Sequence, residues 1–234
     1  MMSLINKLIL DKNILLNTFV SKLDKNETFL LTYFNAHCFN YYFESQEYKT
    51  LLDNFFTVYT DGVGVWLLMK RLNKKYKRFN ATDVNKDLMN ILKEKKRSFI
   101  LIGGNFDEKL IYQKAQKLGL IIEKYINGYL EEGKIVESID KCVSNIFFIG
   151  MGVPKQEKLA YKIAEKYPNV KVVCVGNFFN YYFGFQKRAP KLFQNLYLEW
   201  FYRLLSEPRR LIKRYTIGNL KFIIRALSIK DEPK

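Results

Sequence analysis

Glycine residues stand at the ends of four apolar segments, and an aspartate precedes the first of them. The four sites are Asp61-Gly62-Val63-Gly64, Gly103-Gly104, Gly150-Met151-Gly152 and Gly176. Glycine allows a positive φ and a close approach of the backbone to a ligand, and a helix that begins after such a turn presents free N–H groups to a phosphate. An ordinary turn explains each glycine alone, but four at one edge of a sheet favour a binding site.

Asp61 is the first candidate for acid–base chemistry. A carboxylate between the end of an apolar segment and a glycine turn can face a cleft and remove a proton from a substrate. Aspartate at such a position is also common as the cap of the following helix. The residues alone favour the cap.

The sequence patterns typical of several kinds of binding site are absent from this chain. The chain has neither G-x-G-x-x-G nor the P-loop pattern, so dinucleotide and P-loop sites are not indicated. His37 is the only histidine, which excludes a histidine metal site. The Asp-x-Asp pair of metal-dependent sugar-nucleotide enzymes is also missing. We therefore expect no metal or other cofactor, and expect Arg, Lys and backbone N–H groups to neutralise any bound diphosphate.

The elements that must position these residues alternate between strand and helix patterns. Strands are predicted at residues 28–32, 55–59, 98–102, 120–122, 145–149 and 170–175, and helices at 83–96, 107–118 and 154–167. This alternation predicts an α/β fold with a Rossmann-like parallel sheet flanked by helices. The near-continuous apolar strands agree, because parallel strands are buried on both faces. Ligands of such sheets bind outside the carboxyl ends of the strands, where the glycines stand.

Composition limits the kinds of partner. The 234 residues include 39 basic and 23 acidic ones, for a net charge of +16, and 48% are apolar. The charge indicates an anionic partner: nucleic acid, a phosphate-bearing substrate or an acidic membrane. Three widely spaced cysteines, Cys38, Cys142 and Cys174, suit a reducing cytoplasm and argue against a disulfide framework.

Half of the net positive charge lies in the last fifth of the chain. Residues 187–234 contain 12 basic and four acidic residues, and apolar residues recur with helical spacing between Ile212 and Leu227. We divide the chain into a catalytic domain, 1–186, and a basic amphipathic helical appendage, 187–234. Such a segment lies on an anionic membrane or packs its apolar stripe on the core with a solvated basic face. Both interpretations stay open. No apolar run reaches the ~18 residues needed to span a bilayer, and no cleavage site indicates a signal peptide.

Three blocks of sequence are long and unusual. They are Thr60-Asp61-Gly62-Val63-Gly64-Val65, then Ile149-Gly150-Met151-Gly152-Val153-Pro154-Lys155-Gln156-Glu157, and then Arg188-Ala189-Pro190 followed by Leu198-Glu199-Trp200-Phe201-Tyr202-Arg203 and Glu207-Pro208-Arg209-Arg210. In this order they closely resemble the WecG/TagA/CpsF family of glycosyltransferases (glycosyltransferase family 26). The resemblance runs from about Thr28 to Phe222.

The resemblance implies a metal-independent, inverting, UDP-sugar-dependent hexosyltransferase. Such enzymes move an N-acetylmannosamine-type or related sugar to an undecaprenyl-diphosphate-linked sugar, during synthesis of teichoic acid, capsule, exopolysaccharide or other cell-wall glycans. The implied partners are a UDP-sugar, the polyprenyl-diphosphate acceptor and an anionic membrane, without nucleic acid; a homo-oligomer is left open. The implied location is cytoplasmic, peripheral on the inner face of the cell membrane.

The resemblance also implies roles for individual residues. Asp61 is the expected general base, and Arg78 is expected to stabilise charge on the leaving UDP. The implied substrate-binding residues are Thr32, Asn35, Gly62, Gly104, Gly150, Gly152, Gln156 and Asn180. The residues expected to hold the lipid diphosphate or the membrane are Arg203, Arg209, Arg210 and Arg214.

The chain departs from the family pattern at three positions. Aligning Asn35 with the family's asparagine puts Tyr33 where relatives have threonine, Ala81 replaces a glycine, and Asn180 replaces an aspartate. These departures motivate one alternative, a catalytically weak family member used as a membrane scaffold. A second alternative, a basic nucleic-acid-binding protein, rests on the net charge and on an aromatic content of 16%.

Overall fold

The computed structural model describes residues 1–74 and 76–229, except for the side chain of Arg210. Six parallel strands form one sheet in the order β2-β1-β6-β5-β3-β4. They are β1 (Phe29–Phe34), β2 (Phe56–Thr60), β3 (Ser98–Gly103), β4 (Ile121–Ile126), β5 (Ile146–Gly150) and β6 (Lys171–Cys174). The predicted α/β class and all six strands are confirmed, and β4 extends further than the short apolar run that predicted it.

Helices cover the sheet. In the first part of the chain they are α1 (Met2–Lys7), α2 (Lys12–Leu23), α3 (Ala36–Glu44), α4 (Gln46–Asn54), α5 (Gly62–Arg71), α6 (Ala81–Glu94), α7 (Glu108–Lys117), α8 (Glu132–Ile139), α9 (Lys155–Lys166) and α10 (Phe178–Tyr182). The three predicted helices correspond to α6, α7 and α9. Every residue of β1 is buried, as expected for a strand with helices on both faces.

The chain reverses its direction across the sheet between β3 and β5. It leaves β3 toward β4 at one edge, but leaves β5 toward β6 in the opposite direction. The two strands are neighbours, and Gly103 pairs with Gly150 at their carboxyl ends. A crevice at such a switch point is where open α/β sheets bind ligands.

The C-terminal region is helical, as predicted, but its amphipathic pattern is divided between two helices. The region contains α11 (Lys191–Asn195), α12 (Glu199–Ser206), α13 (Pro208–Tyr215) and α14 (Ile217–Ser228). Thr216 separates α13 from α14, and its hydroxyl donates to the carbonyl of Ile212 at 2.7 Å. The domain boundary at residue 187 stays a prediction.

Helix α14 packs against α3 and α5 through one face. Phe222 and Ala226 are buried, and Arg71 of α5 donates hydrogen bonds to carbonyls at the end of α14. Arg225 and Lys221 both pair with Glu44 of α3. The opposite face exposes Ile217, Leu220, Ile224 and Leu227. Helix α14 therefore packs one face on the core and leaves apolar side chains exposed on the other; its contact with a membrane stays a prediction. Within residues 1–74 and 76–229, no helix combines the length and apolarity that a membrane span requires.

Candidate active site

A polar cavity of about 670 Å³ lies at the switch point of the sheet. Residues at the ends of β3, β5 and β6 form part of its wall, and its glycines are Gly104, Gly128, Gly150, Gly152 and Gly176. The strand ends leave no room for a side chain: a Cβ on Gly103 would lie 2.6 Å from the carbonyl oxygen of Gly150, and one on Gly150 would lie 2.7 Å from that of Gly176. Backbone groups can therefore approach a ligand directly.

An apolar cavity of about 460 Å³ lies beside the polar one, under the C-terminal helices. Leu67 and Leu68 of α5 form one wall, and Phe222 and Ile223 of α14 form the facing wall. Trp200 of α12 also lines this space. Helical side chains thus line most of the second cavity, together with Asn35 and Asp61, which follow β1 and β2.

The two cavities meet at Asp61. The residues that line both are Asn35, His37, Asp61, Thr82, Arg203, Arg214 and Tyr215, and we call this set the junction. Asn35 follows β1, Asp61 follows β2, and the other residues come from α3, α6 and the C-terminal helices. A group bound in either cavity can therefore reach the same carboxylate.

Hydrogen bonds fix the orientation of Asp61. Its Oδ1 accepts from the backbone N–H of Ala81 at 2.9 Å, and its Oδ2 accepts a longer bond of 3.3 Å from the amide of Asn35. Within the described residues, its side chain makes no capping hydrogen bond to its own helix, α5. The simpler interpretation of Asp61 as a cap for the next helix is therefore not supported. Oδ2, with its weaker contact, is the oxygen best placed to accept a proton.

Asn35 has two functions at the junction. Its Oδ1 accepts hydrogen bonds from the backbone N–H groups of His37 and Cys38 and so caps α3. The cap holds the side chain in place, and its Nδ2 points to Asp61. Asn35 therefore orients the carboxylate, and it also lines both cavities.

Two of the four predicted arginines reach the junction. Arg203 and Arg214 line both cavities, and the guanidinium of Arg203 lies 4.9 Å from the ring centroid of Tyr181. Burial opposes the charge of Arg203, but neighbours including Tyr181, Tyr215 and Asp61 outweigh it and raise the pKa. Arg209 lies on neither of the two cavity walls, and the Arg210 side chain lies outside the described residues.

His37 is an uncharged member of the junction near neutral pH. Burial is the main cause that lowers its pKa to about 4, and the nearby positive charge of Arg214 contributes. Its ring packs edge-on against Tyr41 with centroids 5.0 Å apart. The cationic character of the junction therefore comes from arginine.

Arg78 lines the apolar cavity and not the polar one. Its guanidinium lies over the ring of Tyr197, 4.4 Å from the centroid, and its Nε has no hydrogen-bond partner among the described residues. Gly62, with a φ of 79°, also lines the apolar cavity. The predicted role of Arg78 at the leaving UDP stays a prediction.

Thr32 and Gln156 lie behind the polar cavity and are fully buried. Oε1 of Gln156 accepts hydrogen bonds from the backbone N–H groups of Gly152 and Gly176. Its Nε2 and the Thr32 hydroxyl both donate to Oε1 of Glu157. These contacts join two strand-end turns, so both residues position the site; the substrate contacts predicted for them remain predictions. Burial raises the pKa of Glu157.

Asn180 lines the polar cavity, as do Gly104, Gly150 and Gly152. Its amide donates to Asn177 at 2.5 Å, and Asn177 in turn donates to Gln186 at 2.7 Å. Asn180, which replaces the family's aspartate, therefore belongs to a series of hydrogen-bonded, uncharged amide side chains. Tyr33, the second departure, lines the same cavity.

Two residues of the site, Tyr129 and Arg188, were not predicted from the sequence. Tyr129 lines the polar cavity, and 82% of its surface is exposed. The signal was its position after β4, beside Gly128 at a strand end. Arg188 bridges Asp83 of α6 at 2.6 Å and Glu199 of α12 at 3.0 Å. Arg188 belongs to a block that resembles the family, but the sequence does not show that this side chain joins α6 to α12.

The described part of the chain contains no cluster of three or more His, Cys, Asp or Glu side chains that could hold a metal ion. Its three cysteines, Cys38, Cys142 and Cys174, are free thiols.

Comparison with known proteins identifies a family. The sequence model described as the glycosyl transferase WecG/TagA/CpsF family matches residues 5–233. A Bacillus subtilis (strain 168) protein named N-acetylglucosaminyldiphosphoundecaprenol N-acetyl-beta-D-mannosaminyltransferase is 30% identical over 173 residues, which cover 71% of this chain and 67% of the relative. A Staphylococcus aureus (strain MRSA252) protein of the same name is 28% identical over 213 residues, 89% of this chain and 81% of the relative. The chain belongs to the WecG/TagA/CpsF family and is a glycosyltransferase.

Proposed function

We propose that this protein transfers N-acetylmannosamine, or a closely related sugar, from a UDP donor to N-acetylglucosamine linked to undecaprenyl diphosphate, with inversion and without a metal ion. The observation that carries the proposal is the meeting of a polar and an apolar cavity at one carboxylate, Asp61. A nucleotide sugar is polar and charged throughout, whereas a lipid-linked sugar also carries a hydrocarbon chain. The two proposed substrates therefore match a polar and an apolar cavity. The names of the relatives supply the two sugars.

The polar cavity suits the donor. Glycine turns present backbone to a diphosphate, and Lys155 and Lys158, the latter paired with Glu47, lie on the wall of this cavity alone. Arg203 and Arg214 lie at the junction, where they can reach a phosphate in either cavity. The exposed ring of Tyr129 offers a face on which the uracil base can stack. These groups neutralise the diphosphate as charge develops during departure.

Asp61 acts as the general base in this mechanism. As the acceptor hydroxyl oxygen forms its bond to the anomeric carbon, Oδ2 of Asp61 takes the hydroxyl proton. The bond from the anomeric carbon to the β-phosphate oxygen breaks on the opposite face, and its electron pair leaves with UDP. Attack opposite to the leaving group inverts the anomeric configuration.

The C-terminal helices suit a membrane surface. Leu205 on α12, Ile212 on α13, and Leu220 and Ile224 on α14 all expose apolar side chains. Residues 187–234 also carry an excess of basic residues. Apolar contact and attraction to anionic lipid strengthen interfacial binding together. These features support the part of the proposal that the enzyme binds peripherally to the inner face of the cell membrane.

A donor panel tests the function. The full chain is incubated with separate UDP-sugars and an N-acetylglucosamine diphosphate-prenyl acceptor, with a chelator and without added metal, and the products are analysed by mass spectrometry. We expect UDP-N-acetylmannosamine to give one added N-acetylhexosamine, and NMR to show a β-linkage. If the acceptor stays unchanged with every donor, the proposed reaction is wrong and the scaffold alternative gains support.

Vesicle sedimentation tests the location. We expect the protein to bind anionic phosphatidylglycerol vesicles more tightly than neutral ones. Leu220→Asp should weaken this binding, whereas Val143→Asp, at an apolar residue outside the appendage with 93% exposure, should not. Equal effects of the two substitutions would contradict a membrane-facing appendage.

A further inference from the structure

We propose that the apolar cavity binds the first isoprene units of the acceptor's prenyl chain, so that the protein itself holds part of the lipid. This inference rests on the proposed function, because it assigns a place to one part of the proposed acceptor. The consequence is that the enzyme distinguishes acceptors by their hydrocarbon as well as by their sugar.

The first support is the lining of the cavity. Leu68 and Phe222 are buried at its walls, and Leu67, Ile223 and Leu227 are exposed along its rim. Its volume of about 460 Å³ lies within the ~300–1,000 Å³ that is usual for small-molecule sites. A prenyl chain, with a methyl branch on every isoprene unit, suits the part of this cavity that Leu67, Leu68, Phe222 and Ile223 line.

The second support is the position of the charges. Arg203 and Arg214 lie where the apolar cavity meets the polar one, beside Asp61. A diphosphate held by these arginines sends its sugar toward Asp61 and its hydrocarbon into the apolar cavity. Three further charged residues line this cavity, and each has a partner within the chain. Arg71 donates to the carbonyls of Ala226 and Leu227, Arg78 lies over the ring of Tyr197, and Glu199 pairs with Arg188. The positions of the arginines therefore indicate the orientation of the acceptor, with its sugar toward Asp61 and its hydrocarbon in the apolar cavity.

The third support is continuity with the exposed surface. Ile223 and Leu227 on the cavity rim belong to the same helix, α14, as the exposed residues Leu220 and Ile224. A chain that leaves the cavity therefore meets the apolar surface that the proposed function places against the bilayer. The hydrocarbon would stay shielded from water along this whole path.

Chain length tests the inference without a membrane. Transfer from UDP-N-acetylmannosamine is measured in solution, free of vesicles, to N-acetylglucosamine diphosphate carrying an ethyl, geranyl or farnesyl group below its micelle concentration. Because each buried methylene adds favourable transfer free energy, we expect the KM for the acceptor to fall at least about tenfold from ethyl to farnesyl, with a small change in kcat.

A matched pair of variants locates the effect. Ile223 lines the cavity and is 51% exposed, whereas its neighbour Ile224 is 61% exposed and is not part of the cavity wall. Ile223→Asp should reduce the ratio of the ethyl KM to the farnesyl KM toward one, and Ile224→Asp should leave that ratio unchanged. Leu67→Asp, on the facing wall, should act like Ile223→Asp. The ratio cancels any effect of the new carboxylate on the diphosphate.

Three outcomes would overturn the inference alone, and a fourth would overturn it together with the proposed function. Transfer to all three acceptors with the same KM would remove the prenyl site but keep the proposed function. Equal effects of Ile223→Asp and Ile224→Asp would place the hydrocarbon contact elsewhere on α14. Competition by monomeric dihexanoylphosphatidylglycerol as strong as that by farnesyl diphosphate would assign the cavity to a bilayer lipid. Failure to transfer to any acceptor would instead contradict the proposed function, and the inference with it.

Discussion

The two cavities that meet at Asp61 are built from different parts of the molecule. Glycine turns at the strand ends line part of the polar cavity, whereas residues of α3, α5, α12 and α14 line most of the apolar cavity. The first depends on the hydrogen-bonded ladder of the sheet. The second depends on how the C-terminal helices dock, through contacts such as Arg71 with α14 and Arg225 with Glu44.

This difference indicates a division of work between the two parts of the chain. In the proposed function, the sheet edge binds the charged donor and the C-terminal helices help to bind the lipid-linked acceptor. Only the junction residues should affect both substrates. Substitutions should therefore fall into three groups. The first lowers kcat, the second changes the affinity for one substrate, and the third changes only the stability of the residues behind the site.

Asp61→Asn should have the largest effect, because it removes the proton acceptor and keeps the shape of the side chain. We expect kcat to fall about 10²- to 10⁴-fold. Binding of UDP, measured by calorimetry, and the melting temperature should change little. Turnover close to that of the wild type would exclude Asp61 as the base.

Arg214→Gln should have the next largest effect. Hydrogen bonds to charged groups contribute ~1.5–3 kcal/mol, so we expect kcat/KM for the acceptor to fall about ten- to hundredfold. Arg209→Gln is the matched control, since it alters a cation on the same helix outside both cavities. A comparable loss in both variants would indicate general electrostatics, not a place at the junction.

Tyr129→Ala should affect the donor alone. Stacking of a base on an aromatic ring contributes ~1–3 kcal/mol, so the KM for the UDP-sugar should rise about tenfold while the KM for the acceptor stays constant. Tyr129→Phe keeps the ring and should restore donor affinity. An increase in both KM values would contradict a separate donor cavity.

Glu157→Gln should have the smallest effect, on stability alone. Burial raises the pKa of Glu157 above 4.5, so between 4.5 and the raised pKa the folded state holds more protons than the unfolded state. The free energy of unfolding of the wild type should therefore fall as the pH rises through this window. The glutamine variant should lack this part of the pH dependence in urea unfolding curves. Identical pH profiles would show that Glu157 is already ionised.

Much of the polar cavity could be predicted from the sequence. Apolar runs that end in glycine are local signals, and they located β3, β5 and β6 together with the turns that follow them. The burial of Gln156 also has a local signal, the spacing of residues on one face of α9. Gln156, Leu159, Ala160 and Ile163 are all buried on α9, and their spacing is that of one helix face.

The apolar cavity could not be predicted in the same way. Its walls come from α3, α5 and α14, which are far apart in sequence, and the periodicity that predicted an amphipathic C-terminal segment does not show the break at Thr216. Nor does periodicity reveal that Lys221 and Arg225 turn toward Glu44. Contacts between distant elements decided this region, and no local pattern encodes them.

The close nesting of the strand ends limits how this site can evolve. At Gly103 and Gly150 a single added methyl would collide with the backbone of the adjacent strand end, so neither position can vary alone without moving its neighbour. The glycines at these strand ends are therefore expected to change together or not at all. New donor preferences must arise at side chains on its walls, such as Tyr33, Tyr129 and Asn180, and two of these are positions where this chain already departs from its family.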